Sequence, residues 1–159
     1  GNSQYNPSPS QNIHSLPRFR VSLVRENRAA APSLPITTSV TAAALLAPCF
    51  KGIDREQFVI CGLDAKHRII GLNIVSVGSL TLSIVHPREV FKPLILMNAF
   101  AALCAHNHPS GDPDPSAEDR ALTARLRQAG ELLGITLLDH IILGDDRTYS
   151  FADHSWPCA

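Results

Sequence analysis

Two histidines two residues apart, His106 and His108, are followed by a serine and an aspartate three apart, Ser116 and Asp119. Their types and spacing suit metal chemistry. On an extended backbone, positions i and i+2 share a face, so both imidazoles can aim at one point. On a helix, positions three apart share a face, so Ser116 and Asp119 can look back toward that point. Two histidines and one carboxylate with a fourth position open form the ligand set of a catalytic zinc, not of a closed structural one. A second reading covers part of the same stretch. Ser-x-x-Asp is also a helix-capping pattern, with Ser116 as N-cap and Asp119 as the third helical residue. Capping leaves two same-face histidines beside a proline-braced turn unexplained. Asp112 is an alternative carboxylate if the loop folds back.

The neighbouring elements must position these side chains. Residues 99–105, small and apolar, read as a buried strand running into a loop. Between His108 and Ser116 lie Pro109, Gly111, Pro113 and Pro115, which make a stiff turn. A helix over 117–133 follows, with Leu122, Leu126, Ala129 and Leu133 toward the core, Arg120, Arg125 and Arg127 outward, and Gly134 as its stop. Residues 135–143 and 148–151 read as strands around a tight turn at Gly144-Asp145-Asp146. On the first of these, Asp139 and His140 point to opposite faces, so one at most approaches the metal, where it would orient a ligand imidazole. An equal alternative is that His140 is a buried histidine satisfied by backbone.

Upstream, residues 18–24 alternate well enough for an edge strand with Phe19, Val21 and Leu23 on one side. Thr37, Thr38 and Ser39 offer N-caps for a helix over 40–47, stopped by Pro48. Residues 56–63 and 69–77 read as a hairpin, and 80–85 as a further strand. Residues 87–97 carry helical spacing, with Pro93 forcing a kink or a later start. Strands and helices interleave throughout, which predicts a mixed sheet with helices on both faces, an α/β/α sandwich.

With 159 residues, 45% hydrophobic and 18% charged, the composition is that of one globular domain. No apolar run reaches membrane-spanning length and no signal-peptide pattern opens the chain, so the expected location is the cytoplasm. Cys49, Cys61, Cys104 and Cys158 show no C-x-x-C pairing and read as reduced thiols. Cys104, two residues before His106, reads as a buried small residue. Residues 1–35 hold Arg18, Arg20, Arg25 and Arg28 against Glu26, a balance of +3, against −3 elsewhere. That is no concentrated basic face of the kind a DNA-binding domain presents. Residues 1–17 read as a disordered leader, 18–52 as a strand-and-helix extension, 53–153 as the main domain and 154–159 as a tail. Neither H-E-x-x-H nor the zinc deaminase pattern, with Glu two residues after its His and a later P-C-x-x-C, is present.

His-x-His, seven residues, Ser, two residues, Asp resembles the signature of the JAMM (JAB/MPN) metalloproteases. The run from His106 to Gly111, with Pro115-Ser116, is similar to the RadC branch in particular. The likeness spans about residues 53–151, adding Glu56-Gln57-Phe58, His86-Pro87-Arg88-Glu89-Val90-Phe91 and Leu138-Asp139-His140-Ile141-Ile142. It implies a JAB/MPN domain, a cytidine-deaminase-like sandwich. It implies one zinc per chain on His106, His108 and Asp119, with Ser116 as the oxyanion-side hydroxyl and Glu56 as general base. Without the likeness, nothing selects Glu56 over Asp54 or Glu89.

The expected activity is that of a zinc metallopeptidase or isopeptidase acting on a peptide or isopeptide, including one conjugated to a protein. Zinc with three protein ligands keeps a water and lowers its pKa toward about 7. The alternative is a DNA-repair-associated or catalytically silent binding module on the same fold, since RadC-like proteins carry that label. Residues 1–52 offer one short helix, too little for the helix-hairpin-helix module of longer family members, which argues against direct DNA binding.

Overall fold

A computed structural model describes residues 15–78 and 85–158. The expected strand at 80–85 falls almost wholly outside the described residues, as does most of the 1–17 leader. Five strands, β1 (Gln57–Leu63), β2 (Ile69–Val77), β3 (Ala101–Asn107), β4 (Thr136–Leu143) and β5 (Thr148–Ser150), form one sheet in the order β2-β1-β3-β4-β5. β1–β2, β1–β3 and β4–β5 are antiparallel, and β3–β4 is parallel. The sheet is therefore mixed.

Three helices, α1 (Ser39–Leu46), α2 (Pro87–Leu96) and α3 (Ala117–Leu133), cover it. β1 and β3 are buried at every position, as central strands covered on both faces must be. Alternation along them feeds two cores. Phe58 and Ile60 of β1 and Cys104 of β3 pack with Phe91 and Leu94 of α2 and Leu122 and Leu126 of α3. Val59, Cys61, Leu103 and Ala105 face the other way, against Ala42, Ala43 and Leu46 of α1. The α/β/α sandwich follows from that alternation.

The parallel step from β3 to β4 needs a crossover, and α3 supplies it. Ser116 caps its start, and Gly134 ends it with φ of 73°, in the left-handed region that favours glycine. Gly130 lies where a Cβ would strike the Ile135 carbonyl, so the chain can turn closely from helix to strand.

Some expectations need correction. Residues 18–24 form no strand: Phe19 and Val21 are exposed, and the alternating pattern finds no ladder partner. Alternation gives a strand its two faces, but pairing makes it a strand. Leu133, expected toward the core, is exposed. α2 starts at Pro87 and continues through Pro93, whose ring is buried. The helix over 40–47 passes at Ala47 into a 3-10 turn, Ala47–Phe50, that accommodates Pro48 early on. Within the 154–159 tail, Trp156 packs on the α2–α3 core with the Arg127 guanidinium 4.4 Å from its ring centre. No described helix is long and apolar enough to cross a membrane.

All four cysteines are free thiols. Burial, with Cys49 nearby, pushes the Cys61 thiol up to about 12, and burial followed by the neighbouring Asp139 pushes Cys104 well up. The thiolate is the reactive form, so both side chains stay inert in the folded protein at neutral pH. Thiol labelling of the native chain is expected to modify exposed Cys158 and to reach Cys61 and Cys104 only on unfolding. Rapid native labelling of either buried residue would contradict this packing.

Candidate metal centre

His106 lies near the end of β3 and is fully buried. Its ring stacks on Phe58, its register partner on β1, with centroids 6.1 Å apart. His108 follows β3 directly. Its backbone N–H still reaches the Leu143 carbonyl of β4 at 2.9 Å, and its Nδ1 lies 2.8 Å from the Asp112 carbonyl. The proline-rich loop after it leans on the β4–β5 turn. Asp145 N–H donates to the Gly111 carbonyl at 3.1 Å, and a Cβ on Gly144 would strike that same carbonyl. Gly111 itself has φ of 91°, and a Cβ there would meet the Asp145 carboxylate. Glycine is required on both sides of this contact.

Asp119 comes from the first turn of α3. Its Oδ2 accepts from Ser116 N–H at 2.9 Å, while Ser116 Oγ accepts from Asp119 N–H at 3.0 Å, a complete capping box. The same carboxylate faces both histidines: Oδ1 is 3.3 Å from His106 Nε2, and Oδ2 is 3.0 Å from His108 Nε2. Capping and ligation are rival readings of the sequence, and in the fold the carboxylate that closes the capping box is also the one that faces both histidines. Asp112 is not an alternative ligand. Its carboxylate accepts from Asp114 N–H at 3.0 Å and lies 3.8 Å from Arg147.

The hydrogen-bond partners assign the protons on the rings. The Asp112 carbonyl can only accept, so His108 carries its proton on Nδ1 and turns an Nε2 lone pair inward. Thr123 spends its one hydroxyl proton on the Asp119 carbonyl at 2.7 Å, so at 2.6 Å it accepts from His140 Nδ1. Burial, and then His106, hold His140 well below the usual histidine range, so it is neutral and its Nε2 accepts. His106 Nδ1, 2.7 Å away, is then the donor, and the His106 Nε2 lone pair also faces inward.

Two imidazole lone pairs 3.1 Å apart and a carboxylate thus converge, with all three ligand atoms within 4.8 Å of one another. Acceptors this close repel unless a proton or a metal cation lies among them. The donor set of two imidazole nitrogens and one carboxylate oxygen fits a divalent metal. Burial works to raise the Asp119 pKa, but a proton taken up by His106, the Ser116 N–H and a proton on His108 outweigh it and hold the carboxyl well below its ordinary range. It is a carboxylate at neutral pH. Among the described residues, no other group of three His, Cys, Asp or Glu side chains converges this way.

The other expected residues fall as follows. Glu56 is half-buried immediately before β1. Phe58 opposes His106, so continuing that register by two residues sets Glu56 against His108. Ser116 is exposed beside Asp119. Cys104 is buried in the α2–α3 core with its sulfur toward the Asp139 carbonyl. Of the pair on β4, His140 faces the centre and is satisfied by side chains, not by backbone. Asp139 points away and accepts from Ser150 Oγ at 2.6 Å and from the N–H groups of His140 and Ala152.

Two polar residues escaped the sequence reading. Thr123 lies four residues after Asp119, one helical turn along the same face, and that spacing was its available signal. Asn107 sits between the histidines and turns to the opposite face. Its Oδ1 accepts from Gln57 N–H at 2.8 Å and its amide donates to the Arg55 carbonyl at 3.0 Å, clamping the backbone on both sides of Glu56. Nothing in the sequence pairs it with those peptides, because only the sheet register brings them together.

A mixed α/β sandwich with a His-His-carboxylate centre at the end of a central strand has the architecture and ligand set of a JAB/MPN domain. The model of the RadC-like JAB domain matches residues 36–156, and the chain belongs to that family. It is 50% identical over 110 residues to a UPF0758 protein of Shouchella clausii, covering 69% of this chain and 48% of that protein. It is 48% identical over 113 residues to a UPF0758 protein of Methanosarcina acetivorans, covering 71% and 49% respectively. The matches thus span about half the length of these curated relatives.

The brace between the loop and the β4–β5 turn can be tested apart from the ligands. Gly144→Ala forces a methyl against the Gly111 backbone. It is expected to cost about 1–3 kcal/mol of stability, as overpacking typically does, and to weaken metal binding although no ligand changes. Equilibrium unfolding and metal titration of the variant read both effects, and wild-type values for both would rule out the brace.

Proposed function

We propose that the chain is the metallopeptidase-type domain of a zinc-dependent hydrolase acting on an amide or isopeptide bond. The observation that supports this most is the convergence of His106 Nε2, His108 Nε2 and the Asp119 carboxylate, each with a free electron pair, at one point. These residues would hold one zinc per chain, with a corner left for water. Bound there, the metal supplies Lewis acidity to a water and to a carbonyl oxygen.

The remaining steps belong to side chains. Glu56 takes a proton from the attacking water and returns it to the leaving amine, general acid–base work typically worth about 10²–10⁴-fold in rate. Asn107 favours that role, since its grip on the Arg55 and Gln57 peptide groups fixes the backbone that carries Glu56. Ser116 accepts from Asp119 N–H, which leaves its own hydroxyl proton to donate to the oxygen on which negative charge develops. The start of α3 adds positive potential at the same place. Substrates are peptides or isopeptide-linked conjugates. Free thiols throughout suit a reducing compartment, and the proposed site of action is the cytoplasm.

Purified protein is expected to hold close to one zinc per chain by metal analysis. Glu56→Gln should keep that zinc and lose turnover by about 10²-fold or more, measured against peptide and isopeptide libraries. Turnover equal to wild type removes Glu56 as base, and a wild type that binds no zinc removes the hydrolase reading. Asp119→Ala should lose most zinc affinity while costing about 1 kcal/mol of stability through the broken capping box. Metal retained with a collapsed fold would make Asp119 a cap alone.

A further inference from the structure

Thr123 and His140 are both fully buried, and neither is one of the three converging ligands. A buried histidine and threonine could satisfy themselves on backbone and have no bearing on the site. Here His140 meets the His106 ring directly, and Thr123 joins His140 to the backbone of Asp119. Starting from the Asp119 backbone carbonyl, the bonds run to the Thr123 hydroxyl at 2.7 Å, to His140 Nδ1 at 2.6 Å, from His140 Nε2 to His106 Nδ1 at 2.7 Å, and across the His106 ring to Nε2. That Nε2 stands 3.3 Å from Oδ1 of Asp119, the residue where the circuit began.

We propose that Thr123 and His140 are positioning residues of the metal centre, completing a ring whose three hydrogen bonds, closed by the facing His106 Nε2 and Asp119 carboxylate, set which nitrogen of His106 faces the cation and tie the strand-borne ligand to the helix-borne one. The inference rests on the metal reading above. Its physical content is directional. Thr123 has one proton to give and gives it to the Asp119 carbonyl, so every later bond in the ring runs one way and ends with His106 protonated on Nδ1. The opposite tautomer would set two lone pairs against each other, 2.7 Å apart, between His106 and His140. It would also place a proton on Nε2, where the cation has to bind. The ring planes are held as well as the protons. His140 stacks on Phe151 at 5.2 Å and meets Phe58 edge-on at 5.6 Å, while Phe58 stacks on His106. The ring joins β3, β4 and α3, the three elements whose relative placement decides whether the ligands converge.

The test uses the full chain and zinc itself, with affinity measured by competition against a chromophoric chelator. Thr123→Val keeps the side-chain shape and removes the hydroxyl. It is expected to weaken zinc binding about 10–100-fold, the usual cost of losing a partner that orients a ligand. Thr123→Ser keeps the hydroxyl and should bind within about threefold of wild type on the same reasoning. Thr123→Ala is the second hydroxyl-free variant and should behave like Thr123→Val, with unfolding midpoints of the metal-free proteins separating loss of fold from loss of grip. Nitrogen-15 spectra of the imidazoles should show His106 protonated on Nδ1 in the metal-free wild type and partly on Nε2 in the hydroxyl-free variants. A folded Thr123→Val protein with wild-type zinc affinity and an unchanged His106 tautomer overturns the ring and leaves the metal reading intact. A wild type that binds no zinc overturns the metal reading, and the positioning role with it.

Discussion

Three electron-pair donors, two imidazole nitrogens and a carboxylate, are held within a few ångströms of each other near the end of β3. Left alone they repel, so the fold must spend packing energy to keep them together unless a proton or cation joins them. Burial sharpens the conflict, because the low dielectric around His106 strengthens every charge interaction there. Much of the surrounding architecture can be understood as the means of enforcing this convergence.

The enforcement comes from where strand and helix meet. β3 pairs parallel with β4, so the chain has to cross from one end of the sheet to the other, and α3 makes that crossing with its N-terminus beside the end of β3. Ligands and functional loops in open α/β sheets gather at the carboxyl ends of parallel strands for the same topological reason. Asp119 is suited to this junction because a carboxylate in the first turn of a helix is stabilised by free N–H groups and by the helix dipole. One oxygen satisfies the cap and also faces His108, so capping places the carboxylate where a cation could be held. The proline-rich loop between the ligands has little backbone freedom, and the Gly111–Gly144 contact uses what remains to pin it on the β4–β5 turn.

Support for the centre continues outward in two directions. Toward the helices, Phe58, Phe151, His140 and Thr123 fix the plane and the proton of His106. Toward the sheet edge, Asn107 extends the β1–β3 ladder with a side chain in place of backbone and holds the peptide groups flanking Glu56. His106 and Asn107 are consecutive and point to opposite faces, so one short segment serves both the metal ligands and the residue proposed as base.

Local spacing made the core of the site legible in the sequence. His-x-His needs only the period of two of a strand, and Ser-x-x-Asp only the turn of a helix, so His106, His108, Ser116 and Asp119 could be read without knowing how the chain folds. The same local rules gave α3, β2 and the two-faced sheet, because hydrophobic periodicity is a property of neighbouring residues. They failed at residues 18–24, where an alternating pattern has no partner to pair with. They also left Glu56, Asn107, Thr123 and His140 unresolved, since their roles come from register and crossover. Glu56 comes to the His108 end of the sheet only through the β1–β3 register, and His140 meets His106 because β4 lies parallel to β3. The sequence by itself determined which atoms can bind a cation. Only the tertiary structure decided which protons those atoms carry and which way they point, because a proton's place on an imidazole is set by partners that lie far away along the chain.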